Sequence, residues 1–243
     1  KKNKITVFYA NCRSIMNKLS ELKTILCNRS LEERPTVISL CETWTHTNVS
    51  DSMLSLPGYT LKVRADRTDT TRGCGGGILV YVKDGIIAHE INSPTLDSFN
   101  QIVCLKIMAG SRNIKLFVVY RSPNSCGSND DALVNVLKSS DKDTIYVGDF
   151  NFPNIDWANM TCTTSAKDRR FLELTLDNFL CQMVDFPTRE QRTLDLVLVG
   201  DPNLVSEVKC GGKIGSSDHD IVEFVIQQNP LGPPSSIERI TNF

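Results

Sequence analysis

The chain has 243 residues, 40% of them hydrophobic and 23% charged, with a formal net charge of −1. That length suits one large α/β domain, and that composition builds a folded core rather than a disordered chain. Near-neutral charge excludes a globally basic nucleic-acid binder, so any phosphate contact must come from a local patch. No apolar run approaches the ~20 residues of a membrane helix, so no membrane partner is expected. Lys1-Lys2-Asn3-Lys4 leads into a strand-like segment with no signal-peptide character. The nine cysteines are odd in number and include no Cys-x-x-Cys, which favours reduced thiols over a disulfide framework or a zinc site.

Ile5 to Ala10 reads as a strand, and Ile15, Leu19, Leu22, Ile25 and Leu26 predict a helix over 14–29 with Ser14 as its N-cap. Thr36 to Cys41 is a near-continuous apolar run, as in a strand covered on both faces. After a polar loop and the Pro57-Gly58 turn, short strands follow at Ile78–Val82, Ile86–Ile91, Ile102–Met108 and Ile114–Tyr120. A short helix is predicted over Asp130–Ser139, a buried strand over Thr144–Gly148, and a helix with a broad apolar face over Asp168–Cys181. Leu194–Val199, Leu204–Val208 and Ile221–Ile226 complete the strands. Many strands and three helices, without strict alternation, predict an α/β fold of two packed sheets flanked by helices. The domain is expected to span 1–228, and the Pro-rich stretch 229–243 reads as a linker.

Polar residues collect where these apolar runs stop. Runs end on Asn11, Glu42, Tyr120 and Asp149-Phe150-Asn151; Asp195 starts one run, and Ser217-Asp218-His219 precedes the last. Each residue alone could be a turn former or cap. Together they could not be buried singly without large cost, so they are expected to cluster with a cation or with one another. Asp, Glu and Asn oxygens with few histidines favour a hard cation, Mg²⁺ or Mn²⁺, over Zn²⁺.

In this order the residues resemble the endonuclease/exonuclease/phosphatase family of apurinic/apyrimidinic endonucleases and DNase I. The pieces are Asn11, Glu42 in Leu-Cys-Glu-Thr-Trp, Tyr120 in Val-Tyr-Arg-Ser-Pro-Asn, Asp149 and Asn151, Asp195 in Leu-Asp-Leu-Val-Leu, and Ser217-Asp218-His219. Asn11-x-Arg13-Ser14, Glu-Thr-Trp44, Tyr-Arg-Ser-Pro123, Arg169-Arg170-Phe171-Leu172 and Gly215-Ser-Ser-Asp-His-Asp220 resemble more closely the chicken-repeat group of LINE-type retrotransposons. The resemblance implies a four-layer α/β sandwich, DNase I-like, and a Mg²⁺-dependent endonuclease that nicks double-stranded DNA to leave a 3′-hydroxyl primer. It also implies a reverse transcriptase domain in the same polyprotein and action in the nucleus.

The roles it implies are specific. Glu42 is the main metal ligand with Asn11 beside it, and Asp218 reaches the metal shell or a second ion. Asp149, helped by Asn151, orients or deprotonates the attacking water. His219 donates to a phosphate oxygen, Asp195 holds its ring, Tyr120 contacts the phosphate, and Ser217 supports the loop. Apurinic-site enzymes carry an acidic residue where this chain has Arg13, which argues against carrying over abasic-site repair. DNA contacts are expected from Arg13, Arg64, Arg67, Arg72, Asn124, Arg169, Arg170, Arg189 and Arg192, although solvated surface charge is the plainer reading of any single arginine. Fold alone leaves open a phosphatase, a phospholipase or an RNA nuclease, and an inactive nucleic-acid-binding module.

Overall fold

The computed structural model describes residues 4–66, 75–99, 101–110 and 112–228. The predicted linker over 229–243 lies outside them. In chain order the elements are β1 (Ile5–Asn11), α1 (Leu19–Cys27), β2 (Val37–Cys41), β3 (Tyr59–Ala65), β4 (Ile78–Lys83) and β5 (Ala88–Ile91). There follow α2 (Pro94–Asp97), β6 (Ile102–Ala109), β7 (Arg112–Tyr120), α3 (Gly127–Leu137), β8 (Thr144–Asp149) and α4 (Ala166–Asp177). The last elements are β9 (Cys181–Gln182), β10 (Asp195–Val199), a 3-10 turn at Pro202–Leu204, β11 (Val205–Lys213) and β12 (Asp220–Ile226).

The strands form two six-stranded sheets, β11-β12-β1-β2-β4-β3 and β5-β6-β7-β8-β10-β9. Alternation along each strand decides what the sheets bury. Ile5, Val7 and Tyr9 of β1 join Val37, Val118, Ile145, Val147, Val197 and Val199 in one core between the sheets. The intervening Phe8 and Ala10 pack instead with Leu19, Leu22 and Leu26 of α1. On the other sheet Phe117, Tyr146, Leu196 and Leu198 face away from the first core and meet Leu133, Val136 and Phe171 of α3 and α4. Three apolar layers between four structural layers give the predicted α/β sandwich, each buried aliphatic contributing about 1.5–3 kcal/mol.

Several element bounds differ from those predicted, each for a local reason. α1 begins at Leu19 and not at Ser14, because Arg13 and Ser14 adopt left-handed backbone conformations (φ 38° and 78°). Ser14 therefore does not cap the helix; its N–H donates to the Glu42 carbonyl at 2.8 Å. α4 starts earlier than predicted because Ser165 caps it, accepting from the Asp168 N–H. It stops at Asp177, before Asn178 and the left-handed Phe179. α3 likewise runs from Gly127 to Leu137, two to three residues ahead of the predicted span. β11 extends to Lys213 by absorbing two register shifts against β12. β3 and β9 were not anticipated: β3 has exposed residues within it, and β9 has only two residues.

Two parallel pairs, β1 with β2 and β7 with β8, place their C-terminal ends at the same edge of the sandwich as the start of β10. The β7–β8 approach is tight. A β-carbon on Gly148 would stand 1.9 Å from the Val119 carbonyl oxygen, with no flexible side chain to yield. Gly148→Ala should therefore cost roughly 3 kcal/mol or more by overpacking, read as a lower midpoint in guanidinium unfolding. An unchanged midpoint would show that the strands can separate freely there.

Candidate active site

The strand parity that builds the central core carries on to the polar ends. Asn11 continues the series Val7, Tyr9; Asp149 continues Ile145, Val147; and Asp195 starts the series Val197, Val199. All three thus enter the space between the sheets at one end, and all are buried. Asp195 lies directly opposite Asp149 in the β8–β10 register.

His219 closes this end. Its Nδ1 donates to Asp195 Oδ2 at 2.7 Å, and its Nε2 lies 3.9 Å from Asp149 Oδ2. Tyr9 donates its hydroxyl to the other oxygen of Asp195 at 2.9 Å. Asn11 Nδ2 donates to Asp149 Oδ2 at 2.9 Å, and the Asn151 N–H donates to Asp149 Oδ1 at 3.1 Å. Ser217 supports the loop from below, its hydroxyl donating to the Asn11 carbonyl at 2.7 Å and accepting from the His219 N–H at 3.3 Å. Burial alone would lower the His219 pKa. The charge and hydrogen bond of Asp195, with Asp149 and Asp218 nearby, outweigh it and raise the pKa to about 9. Asp149 is pushed well above the usual carboxylate range, first by burial and then by the charge of Asp195.

A wetter mouth adjoins this buried group. Glu42 is half-buried just past the end of β2, its Oε2 accepting from Trp44 Nε1 at 2.8 Å and its carboxylate accepting from the Tyr120 hydroxyl. Burial, followed by the charge of Glu42, lifts the Tyr120 pKa far above its ordinary value. Asp218 receives Arg13 at 2.9 Å and Arg189 at 2.7 Å on Oδ2. Burial would raise its pKa, but the Arg13 hydrogen bond and the Arg189 charge hold it below the ordinary carboxylate range. Asp218 Oδ1 is buried and has no partner among the described residues. The rim is held in costly backbone conformations, with positive φ at Arg13, Ser14, Glu42, Trp44 and Asn151.

The structure thus brings together Asn11, Arg13, Glu42, Tyr120, Asp149, Asn151, Asp195, Ser217, Asp218, His219 and Arg189. The other basic residues singled out by sequence make their contacts elsewhere. Arg64 is only 18% exposed and is spent on Asp51, Asp66 and the carbonyls of His46 and Val49. Arg169 donates to the Cys162 and Thr163 carbonyls, and Arg170 pairs with Asp131. Arg192 accepts at its carbonyl from the Thr188 and Arg189 N–H groups, closing a small hairpin, while Asn124 sits exposed on the turn after β7. Arg67 and Arg72 lie outside the described residues.

Three contributors were missed. Tyr9 was legible from parity, two residues before Asn11 on an inward face. Trp44 lay inside a recognised motif. Arg121 is 1% exposed: it donates to the Phe150 and Asn151 carbonyls and pairs with Asp130, holding the strained turn that carries Asn151. No feature of the sequence marked it as buried.

Asp149, Asp195 and His219 bring one ligand atom each within 4.8 Å of one another, a grouping able to hold a metal ion. Their oxygens are, however, already paired within the protein. The free, buried Asp218 Oδ1 and the half-buried Glu42 carboxylate, both acting on the Arg13 guanidinium, suit a hard divalent ion better.

Residues 114–223 match the family model described as endonuclease-reverse transcriptase. No curated protein matches the sequence. Among solved structures, the endonuclease domain of TRAS1, a telomere-specific non-LTR retrotransposon, aligns with TM-score 0.68 and 18% identity over 93% of this chain and 99% of that one. The apurinic/apyrimidinic endonuclease LMAP from Leishmania major aligns with TM-score 0.68 and 14% identity, over 93% and 88%. A Neisseria 3′ phosphatase, NExo, bound to a product DNA hairpin, aligns with TM-score 0.68 and 14% identity, over 92% and 99%. The chain has the fold of the endonuclease/exonuclease/phosphatase family. The stretch matched by the family model, residues 114–223, holds Tyr120, Asp149, Asn151, Asp195 and His219.

The buried imidazole offers a direct test of this geometry. In metal-free protein the His219 ring protons should titrate near pH 9 by NMR, well above the ordinary 6.5. Because the folded pKa is raised, the stabilisation from this pair is complete below about pH 6.5 and is lost as pH rises through 9. Asp195→Asn should bring the titration down sharply, since the largest charge and the hydrogen bond that offset burial are then lost. A wild-type midpoint near 6.5 would mean that the pair carries no charge coupling.

Proposed function

We propose that this chain is a DNA endonuclease, dependent on a divalent metal (Mg²⁺, with Mn²⁺ able to replace it), that nicks duplex DNA and leaves a 3′-hydroxyl. The observation that carries the reading is the buried His219–Asp195 pair facing Asp149, with Glu42 and the free Asp218 oxygen at the adjoining mouth. The matches to the endonuclease-reverse transcriptase family model and to the fold of a retrotransposon endonuclease support a LINE-type element as its setting. In that setting residues 1–228 form the endonuclease domain, a reverse transcriptase domain extends the same polyprotein beyond the linker, and the nick primes reverse transcription in the nucleus.

A bound ion at Glu42, Asn11 and Asp218 supplies charge neutralisation for the phosphoryl and leaving oxygens. The remaining work falls to the protein. His219, protonated because Asp195 holds its Nδ1, presents Nε2–H to a non-bridging phosphate oxygen. Asp149 takes the proton of the attacking water, and burial makes it a stronger base than an ordinary carboxylate. Asn151, fixed by its amide donating to the Arg121 carbonyl at 2.8 Å, keeps its N–H on Asp149 and so fixes the direction of that base. Tyr120 and Arg13 line the path of the phosphate. Phosphate contacts from Arg189, and from Arg192 on the same hairpin, would set the register of the duplex without reading sequence.

Supercoiled plasmid should convert to open circle with Mg²⁺ and not with EDTA. His219→Ala should lower the rate about a hundredfold or more, by analogy with the loss of a charge-stabilising donor. A folded wild-type protein that fails to nick would sink the DNA reading. Release of phosphate from 3′-phosphorylated ends by that same protein would move the site to the chemistry of its neighbour, the Neisseria 3′ phosphatase. DNA retention without either reaction would make it a binding module.

A further inference from the structure

Arg13 occupies an unusual place for a cation. It follows Asn11 by two residues, is fixed at φ 38°, and hydrogen-bonds its N–H to Asn11 Oδ1 at 3.3 Å. Lys18 holds its carbonyl at 2.8 Å, so the backbone is pinned on both sides. From there NH1 reaches Asp218 Oδ2 at 2.9 Å, and the guanidinium stands close enough to Glu42 for their charges to interact. Arg189 takes the same Asp218 oxygen from the opposite direction. One carboxylate at the mouth is therefore shared by two guanidiniums, and its second oxygen is left buried without a partner.

Nucleases that use two divalent ions hold them roughly 3.5–4 Å apart, bridged by carboxylates, so that both the entering and the leaving oxygen meet positive charge. Such a pair needs acidic groups to offset four positive charges. At this mouth two carboxylates, Glu42 and Asp218, already face two guanidiniums. A second divalent ion placed beside Asp218 would meet fixed positive charge at hydrogen-bond range from its only free ligand.

We propose that the Arg13 guanidinium is a built-in replacement for a second metal ion, so that the site binds one divalent cation and meets the phosphate with Arg13 as its other positive charge. This rests on reading the Glu42–Asp218 mouth as the cation site. The remaining Arg13 donors, Nε and NH2, have no partner among the described residues, and the side chain is 44% exposed. They are available to a phosphate oxygen while NH1 stays on Asp218.

The experiment is a Mn²⁺ titration of the metal-free protein, with free ion read by electron paramagnetic resonance and no DNA present. Wild type should bind a single ion. Arg13→Gln, which keeps a hydrogen-bonding side chain and removes the charge, should bind that ion about tenfold more tightly, from the Coulomb repulsion relieved at short range. Arg13→Glu should bind a second ion, and Arg13→Lys should behave as wild type; near-wild-type unfolding midpoints would establish that the variants fold. Two ions of similar affinity in wild type, or equal affinity in wild type and Arg13→Gln, would overturn the proposal while leaving a metal-dependent nuclease intact. Binding by the Gln and Glu variants alone would uphold Arg13 as the excluding charge and overturn metal dependence. No binding by any of the four proteins would overturn both.

Discussion

Asp149 and Asp195 face each other across neighbouring antiparallel strands, both buried, at the open end of an otherwise apolar sandwich. Like charges directly opposite on a sheet destabilise it, and moving an unpaired carboxylate out of water costs several kcal/mol. The surrounding structure is arranged to make this pair tolerable. Tyr9 and His219 satisfy Asp195 from two sides, and Asn11 with the Asn151 N–H satisfies Asp149. Burial and the charge of Asp195 push the Asp149 carboxyl well above its ordinary range. His219 lies between them, 2.7 Å from Asp195 and 3.9 Å from Asp149, and its charge opposes the rise at Asp149.

Such a group cannot be assembled from one segment. The six contributing positions come from β1, the exits of β2, β7 and β8, the entry of β10 and the loop before β12, separated by more than two hundred residues of chain. Only two sheets with parallel pairs at their centres, β1–β2 and β7–β8, put four strand exits at one end. The antiparallel β10 and β12 then deliver Asp195 and His219 to the same end. Glycine at 148 is part of this requirement, because any β-carbon there would force apart the strands that carry Tyr120 and Asp149.

The buried part of the site was legible because its residues obey the period of the strands that present them. Asn11, Asp149 and Asp195 each extend an inward-facing apolar series, so a polar residue at a strand end could be read as pointing into the core. The same rule would have found Tyr9. Legibility ended where the chain leaves regular structure. Ser14 reads as the cap of a helix, since hydrophobic spacing resumes at Ile15 and continues into α1. The left-handed backbone there is imposed by hydrogen bonds to the Glu42 and Thr43 carbonyls, 28 residues further along the chain, which no local pattern records. Nor does sequence distinguish Arg64, consumed by its own loop, from Arg13 at the mouth of the site.

That distinction bears on how a chain with a net charge of −1 could engage a polyanion. Among the described residues most arginines are neutralised by acids or backbone carbonyls away from the site, and they add little field at a distance. Arg13 and Arg189 instead converge on one carboxylate oxygen at the site, and each is anchored there with part of its fork unused. Asp218 positions both cations, sets the distance between them, and still leaves one oxygen facing the site. A phosphate arriving at that point would meet donors already oriented, so little side-chain entropy is lost on contact. Charge placed this way acts only within a few ångströms. It requires no basic surface elsewhere, and in a nuclease of the proposed kind it would leave the position along the duplex to other contacts.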